Sequence, residues 1–261
     1  MTYNIALAGK GGTGKTTVSG LIIDYLAKAG KGPILAVDAD ANYNLNEVLG
    51  VEREISLGEI REEIAKANLF AANRSEKNPI PANMSKQEYA DFRFNSAIIE
   101  DDDFDMLIMG RTQGQGCYCF INDILKEKIL KYYRNYNFMV VDNEAGLEHI
   151  SRGILPAMDL ILLVSDCSRR GIQAAGRIAE MIESLDLKVK NVCLIVNRVP
   201  GGKLEPGIEE EIGRQKLSLI GLIPQDDKVY EFDAAGKALI SLPEDSPVKT
   251  ALAEIMKKLE L

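Results

Sequence analysis

The chain has one histidine, four cysteines among 261 residues, no apolar run of membrane-spanning length and no surplus of positive charge. Each shortage excludes something. A lone imidazole, His149, is more often a structural or interface residue than a catalytic group or a metal ligand. Four cysteines make no disulfide framework in a chain of this size, and in a reducing compartment a close pair points to metal binding or redox chemistry. With 31 basic against 39 acidic residues the net charge is −8, which argues against nucleic acid or an anionic membrane as the main partner. The N-terminus runs directly into an apolar strand-like segment without a cleavable signal pattern, so a cytoplasmic location is expected.

What is present is a regular alternation. Short apolar runs at 3–8, 33–37, 104–109, 137–142, 159–164, 191–197 and 218–222 read as strands. Helical patterns fall at about 16–29, 56–67, 120–134, 147–155, 168–185, 205–216 and 247–259. Strand–helix alternation predicts an α/β fold: a single domain over residues 1–261, with a mostly parallel twisted sheet flanked by helices. Between Asn68 and Asp103 the rhythm stops; Pro79, Pro81 and the run Glu100-Asp101-Asp102-Asp103 predict an irregular, solvated surface insertion rather than a functional lid.

Gly9-Lys10-Gly11-Gly12-Thr13-Gly14-Lys15-Thr16-Thr17 follows the first strand and opens the first helix, the context a phosphate-binding loop requires. Glycines let the backbone curl around phosphate oxygens and aim several N–H groups inward. Lys15 is placed for the β and γ phosphates, Thr16 for Mg²⁺, and the helix start adds its positive dipole end. Lys10 is an addition to this pattern, with no phosphate in its own chain that Lys15 does not already serve. The second strand ends in Asp38-Ala39-Asp40, two carboxylates where a γ-phosphate and its metal would lie, although strand-end aspartates also cap helices. Asp142, four residues before Gly146, ends another apolar strand and suits a metal-held carboxylate followed by a backbone N–H close to the γ-phosphate. Glu144, Glu148, His149 and Arg152 form the polar start of the next helix. Asn197 and Pro224 close the last two strands.

Lys-Gly-Gly-x-Gly-Lys-Thr-Thr resembles the deviant Walker A motif of the MinD/ParA and nitrogenase iron-protein ATPases. The resemblance implies ATP as ligand and a face-to-face homodimer in which Lys10 reaches the partner's nucleotide. It makes Asp38-x-Asp40 switch I, with Asp40 activating water and Asp38 supporting the Mg²⁺ shell, and it puts Asn197 and Pro224 against adenine. Phosphoryl transfer needs mainly positioning and charge neutralisation, so these groups suffice once the metal is held.

Gly116-Cys117-Tyr118-Cys119 lies just past the strand 104–109. One chain offers two thiolates here, and a tetrahedral soft-metal site takes four. Two such segments meeting across a two-fold axis complete the count. Cys167 and Cys193, in or beside apolar strands, are expected to be buried small hydrophobes. The Cys-x-Cys pair, the deviant loop and Asp-x-x-Ala-Gly-x-Glu-His-x-x-Arg-Gly at 142–153 together resemble the CooC group of nickel-handling ATPases and the similar AcsF branch, over essentially the whole chain. That resemblance implies an ATP-dependent nickel metallochaperone whose Cys117 and Cys119 hold Ni²⁺, with Zn²⁺ as competitor, for insertion into CO dehydrogenase or acetyl-CoA synthase. Asn143-Glu144 departs from the pattern and puts a carboxylate beside the γ-phosphate pocket.

Two rival readings share the loop. A MinD- or ParA-type positioning ATPase needs a membrane-binding or DNA-binding surface, yet the C-terminal helix, its lysines matched by glutamates, looks like a core-packing element. An iron-protein-like electron carrier holds a [4Fe–4S] cluster between subunits. In those relatives the two cysteines of a subunit come from distant segments.

Overall fold

The computed structural model of the chain describes residues 1–40, 42–72, 78–110, 119–144, 148–151, 153–185 and 187–261. In chain order the elements are β1 (Tyr3–Ala8), α1 (Lys15–Lys28), β2 (Ile34–Ala39), α2 (Leu45–Leu49), α3 (Leu57–Ala72), α4 (Lys86–Ser96), β3 (Ile98–Glu100), β4 (Asp105–Ile108), α5 (Cys119–Tyr132), β5 (Phe138–Asn143), α6 (Glu148–Ser151), β6 (Met158–Asp166), α7 (Arg169–Ser184), β7 (Val189–Val199), α8 (Pro206–Arg214), β8 (Leu219–Pro224), α9 (Asp227–Ala234) and α10 (Pro247–Lys258). The strands form one sheet in the order β3-β4-β2-β5-β1-β6-β7-β8, parallel throughout except for β3.

Both faces of the sheet are covered, which is why its strands read as unbroken apolar runs instead of alternating ones. Ile5 and Leu7 of β1 point into a layer with Leu21, Ile22 and Leu26 of α1 and with Leu252 and Ile255 of α10. Ala6 and Ala8, facing the other way, join Ile60 and Ile64 of α3, Ile129 of α5 and Ile172 of α7. The expected three-layer α/β domain is therefore present, and β1 lies near its centre between β5 and β6. Ligands of such sheets bind beyond the carboxyl ends of the strands, where neighbouring connections diverge to opposite faces. Here that place is the end of β1.

The expectation of an irregular insertion at 68–103 needs correction. Its second half holds α4 and β3. Ser85 accepts from the Glu88 N–H while the Glu88 carboxylate accepts from the Ser85 N–H, a reciprocal capping box that starts α4. Tyr89, Ala90 and Phe94 are buried against α3 and α5, and Arg93 donates two hydrogen bonds to Glu63 of α3, both at 2.9 Å. β3 then pairs antiparallel with β4, Ile99 opposite Met106. The segment is part of the domain because one face of α4 fills the layer that α3 and α5 leave open.

Among the described residues no helix is long and apolar enough to cross a membrane. α10 buries Val248, Leu252, Ile255 and Met256, as expected of a core-packing helix. The expectation that Cys167 and Cys193 are buried is met only in part: both are half-buried and pack against the core layers. Cys167 sits just beyond the end of β6, and its thiol donates weakly to the Arg198 carbonyl at 3.6 Å.

Candidate nucleotide site

The loop from Gly9 to Gly14 leaves β1 pressed against β6. A Cβ at Gly9 would stand 2.2 Å from the Val164 carbonyl oxygen, so only glycine fits. Gly14 is the N-cap of α1 with φ 88°, and a Cβ there would stand 2.4 Å from Asn197 Nδ2. Two constraints therefore meet at one position: a left-handed backbone and a neighbour already in contact. Thr13 is buried and its hydroxyl donates to the Lys10 carbonyl at 2.9 Å, closing the loop on itself. The Lys15 ammonium folds over the same carbonyl at 3.4 Å. No side chain caps α1 and no acidic residue lies in its first turn. Its leading N–H groups and the positive end of its dipole are thus left for an anion. Gly11, Gly12 and Lys10 form the exposed crown of the loop, and Thr16 and Thr17 are half-buried at the helix start.

Asp38 and Asp142 face each other in register on the paired strands β2 and β5. Asp38 is fully buried, accepting from the Asp40 N–H at 3.0 Å and the Leu45 N–H at 3.1 Å, so it also anchors the start of α2. Burial pushes its pKa up to about 7, helped by the charge of Asp142 and opposed by those two N–H groups. Asp142 accepts from the Ser19 hydroxyl at 3.0 Å, and its other oxygen, Oδ2, is buried with no hydrogen-bond partner among the described residues. Burial likewise pushes Asp142 up to about 6, against the lowering influence of the nearby Thr16 and Ser19 hydroxyls and the positive charge of Lys15. Two carboxylates held short of water, one with an unsatisfied oxygen beside a threonine hydroxyl, make a donor set that fits a hard divalent cation. Such a cation would restore both to their ionised form and neutralise the triphosphate. Asp40 stands farther out, half-buried, with its carboxylate accepting from the Asn42 N–H at 2.8 Å.

Asn197, expected against adenine, is held by two hydrogen bonds within the chain. Its amide donates to the Thr13 carbonyl at 2.9 Å and its oxygen accepts from the Arg198 N–H at 2.9 Å. It is therefore a tether between β7 and the phosphate loop. Arg198, which sequence reasoning passed over, extends that tether: its backbone is left-handed at φ 55°, and its guanidinium donates to the Gly12 carbonyl at 3.1 Å. Replacing Arg198 with alanine is expected to weaken Mg-ADP binding about three- to tenfold, since a charged donor to the loop backbone is lost. Calorimetric titration of the variant checks this; parental affinity would mean that the loop holds its shape without the arginine. Asn197 and Pro224 both line a cavity of about 410 Å³ whose floor is Val18 and Leu21 of α1 and whose far wall is Ile223. Thr17, at the start of α1, also lines the cavity.

At the end of β5, Asn143 is buried and its amide donates to the Leu7 carbonyl at 3.0 Å, locking the end of β5 to the end of β1. Glu144 is exposed. Gly146, Arg152 and Cys117 lie outside the described residues, and Cys119 is described only as the first residue of α5. His149 is buried at the centre of α6. Among the described residues no three potential metal-binding side chains cluster.

The model for the CobQ/CobB/MinD/ParA nucleotide-binding domain matches residues 5–240. The chain belongs to this family. A phosphate loop with a second lysine, at the centre of a parallel sheet, is the local expression of that membership, and the chain is an ATPase. An ATP-binding protein of unassigned role from Methanocaldococcus jannaschii is 38% identical over 259 residues, 98% of this chain and 97% of that one. The carbon monoxide dehydrogenase accessory protein CooC of Rhodospirillum rubrum is 28% identical over 252 residues, 91% and 89% of the two chains. Among solved structures, Aquifex aeolicus MinD in its complex with MinC superposes with a TM-score of 0.69 at 25% identity, covering 99% of this chain and 96% of that one.

Proposed function

We propose that this family member is an ATP-dependent nickel metallochaperone. ATP closes a face-to-face homodimer, Cys117 and Cys119 of both subunits hold one Ni²⁺ between four thiolates, and hydrolysis releases the metal to CO dehydrogenase or acetyl-CoA synthase. Zn²⁺ is a competitor for the same thiolates. The observation that carries the reading is where the cysteine segment leaves the sheet. Ile108, the last residue of β4, lies opposite Asp38, and the Met109 N–H donates to the Asp38 carbonyl at 2.8 Å. Met109, eight residues before Cys117, is thus joined directly to the backbone of Asp38, so a shift of switch I on hydrolysis would reach the start of the cysteine segment. The likeness to CooC over most of the chain supports the same reading.

The geometry supports a set of roles. Lys15 and the N–H groups of α1 hold the phosphates; Thr16, Asp142 and Asp38 hold Mg²⁺; Asp40, set outside the buried pair, orients the attacking water. Lys10 acts across the dimer. The likeness to MinD favours a second reading, a positioning ATPase. Against it weigh the net charge of −8 and the apolar face of α10, which is already buried in the core.

Nickel titration of the reduced protein under anaerobic conditions tests the proposal. One Ni²⁺ per two chains with thiolate-to-metal charge-transfer absorbance, both lost in Cys117→Ser/Cys119→Ser, is expected. Equal binding by parent and variant, or none by either, would reject it.

A further inference from the structure

We propose that Tyr230 is an aromatic lid over the nucleotide base. Its ring stacks on the adenine that enters the 410 Å³ cavity beside Thr17, and it sets much of the affinity for ATP and ADP. The inference rests on reading that cavity as the base subsite. Tyr230 lies on α9 and lines the cavity, yet it is 75% exposed, and its hydroxyl makes no hydrogen bond with a described residue. An exposed tyrosine ring that also forms part of a cavity wall leaves an apolar face open to a flat ligand. Its neighbours on α9 behave differently: Val229 and Phe232 pack against the core layer of α1 and α10. The helix is therefore fixed by those two side chains, while the ring between them stands at the cavity mouth.

The charge around the cavity gives the ligand a direction. Residues 226–233 hold Asp226, Asp227, Glu231 and Asp233 against the single cation Lys228. Phosphates are repelled from this end and attracted to the Lys15 end, so a nucleotide lies with its base under α9. Val18, Leu21, Ile223 and Pro224 offer the base an apolar floor and wall. Tyr230 is the group left to cover its other face. Base–aromatic stacking depends on the π surface and not on the hydroxyl, so phenylalanine and tryptophan substitute for tyrosine here and alanine does not.

The chain contains no tryptophan, so Tyr230→Trp introduces a lone emission probe at the lid. Mg-ADP and Mg-pyrophosphate are titrated into the parent, Tyr230→Ala, Tyr230→Phe, Tyr230→Trp and Val229→Trp, the last of which fills the cavity. The expected results are Mg-ADP binding weakened about tenfold in Tyr230→Ala and retained in Tyr230→Phe, with pyrophosphate affinity unchanged in both. The emission of Tyr230→Trp changes on adding Mg-ADP and not on adding pyrophosphate. If Val229→Trp loses Mg-ADP binding but keeps pyrophosphate while Tyr230→Ala binds within about twofold of the parent, the cavity takes the base and the lid is wrong. If Val229→Trp binds Mg-ADP normally, the base lies elsewhere and the lid fails with it.

Discussion

Replacing Lys10 with alanine is expected to leave Mg-ADP binding within about twofold of the parent and to lower ATP hydrolysis on the order of a thousandfold, with loss of the proposed ATP-dependent dimer. The contrast follows from the two lysines' positions. Lys15 is buried and folded over the loop, while Lys10 is exposed on its crown, its ammonium forming no hydrogen bond or ion pair with a described residue. A cation that neutralises transition-state charge from a second subunit is worth about 10³–10⁵ in rate in phosphoryl transfer. One that is not in contact with the ground-state nucleotide of its own chain adds little to binding. Single-turnover hydrolysis, calorimetry and sedimentation on the same variant separate these contributions. Parental hydrolysis by Lys10→Ala would remove the intersubunit role.

Asp142→Asn is expected to lower Mg²⁺-dependent hydrolysis roughly a hundredfold or more while making the ligand-free protein more stable at neutral pH. The sign follows from the raised pKa values, about 7 for Asp38 and about 6 for Asp142, against an ordinary value of 3.8. A carboxyl group whose folded pKa exceeds its unfolded one keeps its proton longer in the folded chain. Its favourable contribution is present below about pH 4 and is lost as pH rises through about 6 to 7. The ligand-free protein therefore loses stability across that window, by an amount on the order of a few kcal/mol for the pair. Mg-nucleotide binding is expected to run the other way, strengthening over the same range because a cation held by both carboxylates needs them ionised. Denaturant melts between about pH 4 and pH 8, with and without Mg-ADP, check both slopes. A ligand-free stability that rises with pH in this window would show that the carboxylates are not held short of water.

The sheet and the phosphate loop were legible in the sequence because both leave strong local marks. Strands buried on both faces are continuous apolar runs, and a loop that curls around phosphate needs glycine at fixed spacing. α4 left a fainter mark: only Tyr89, Ala90 and Phe94 of its eleven residues are buried, so its apolar stripe is thin, though the Ser85–Glu88 capping box announced its start. β3 is three residues long and α9 buries no residue completely, so neither has a readable period. The tethers of Asn197 and Arg198 to the loop were out of reach for another reason. They join residues 184 and 186 positions apart, and only the parallel placement of β1, β6 and β7 brings them together. The same holds for the facing pair Asp38 and Asp142, whose elevated pKa values come from the paired strands and from burial. Asn143, a departure from the family pattern, proved to be a buried link between β5 and β1, while Glu144 points out.

The most direct test of the central claim is native mass measurement of the reduced, nickel-loaded protein with a non-hydrolysable ATP analogue and Mg²⁺, followed by exchange into Mg-ATP. The expected result is two chains, two nucleotides and one Ni²⁺ in a single particle, which separates into metal-free monomers once ATP is hydrolysed in the presence of a chelator. Nickel carried by single chains, or a metal-loaded dimer that hydrolysis leaves intact, would contradict it.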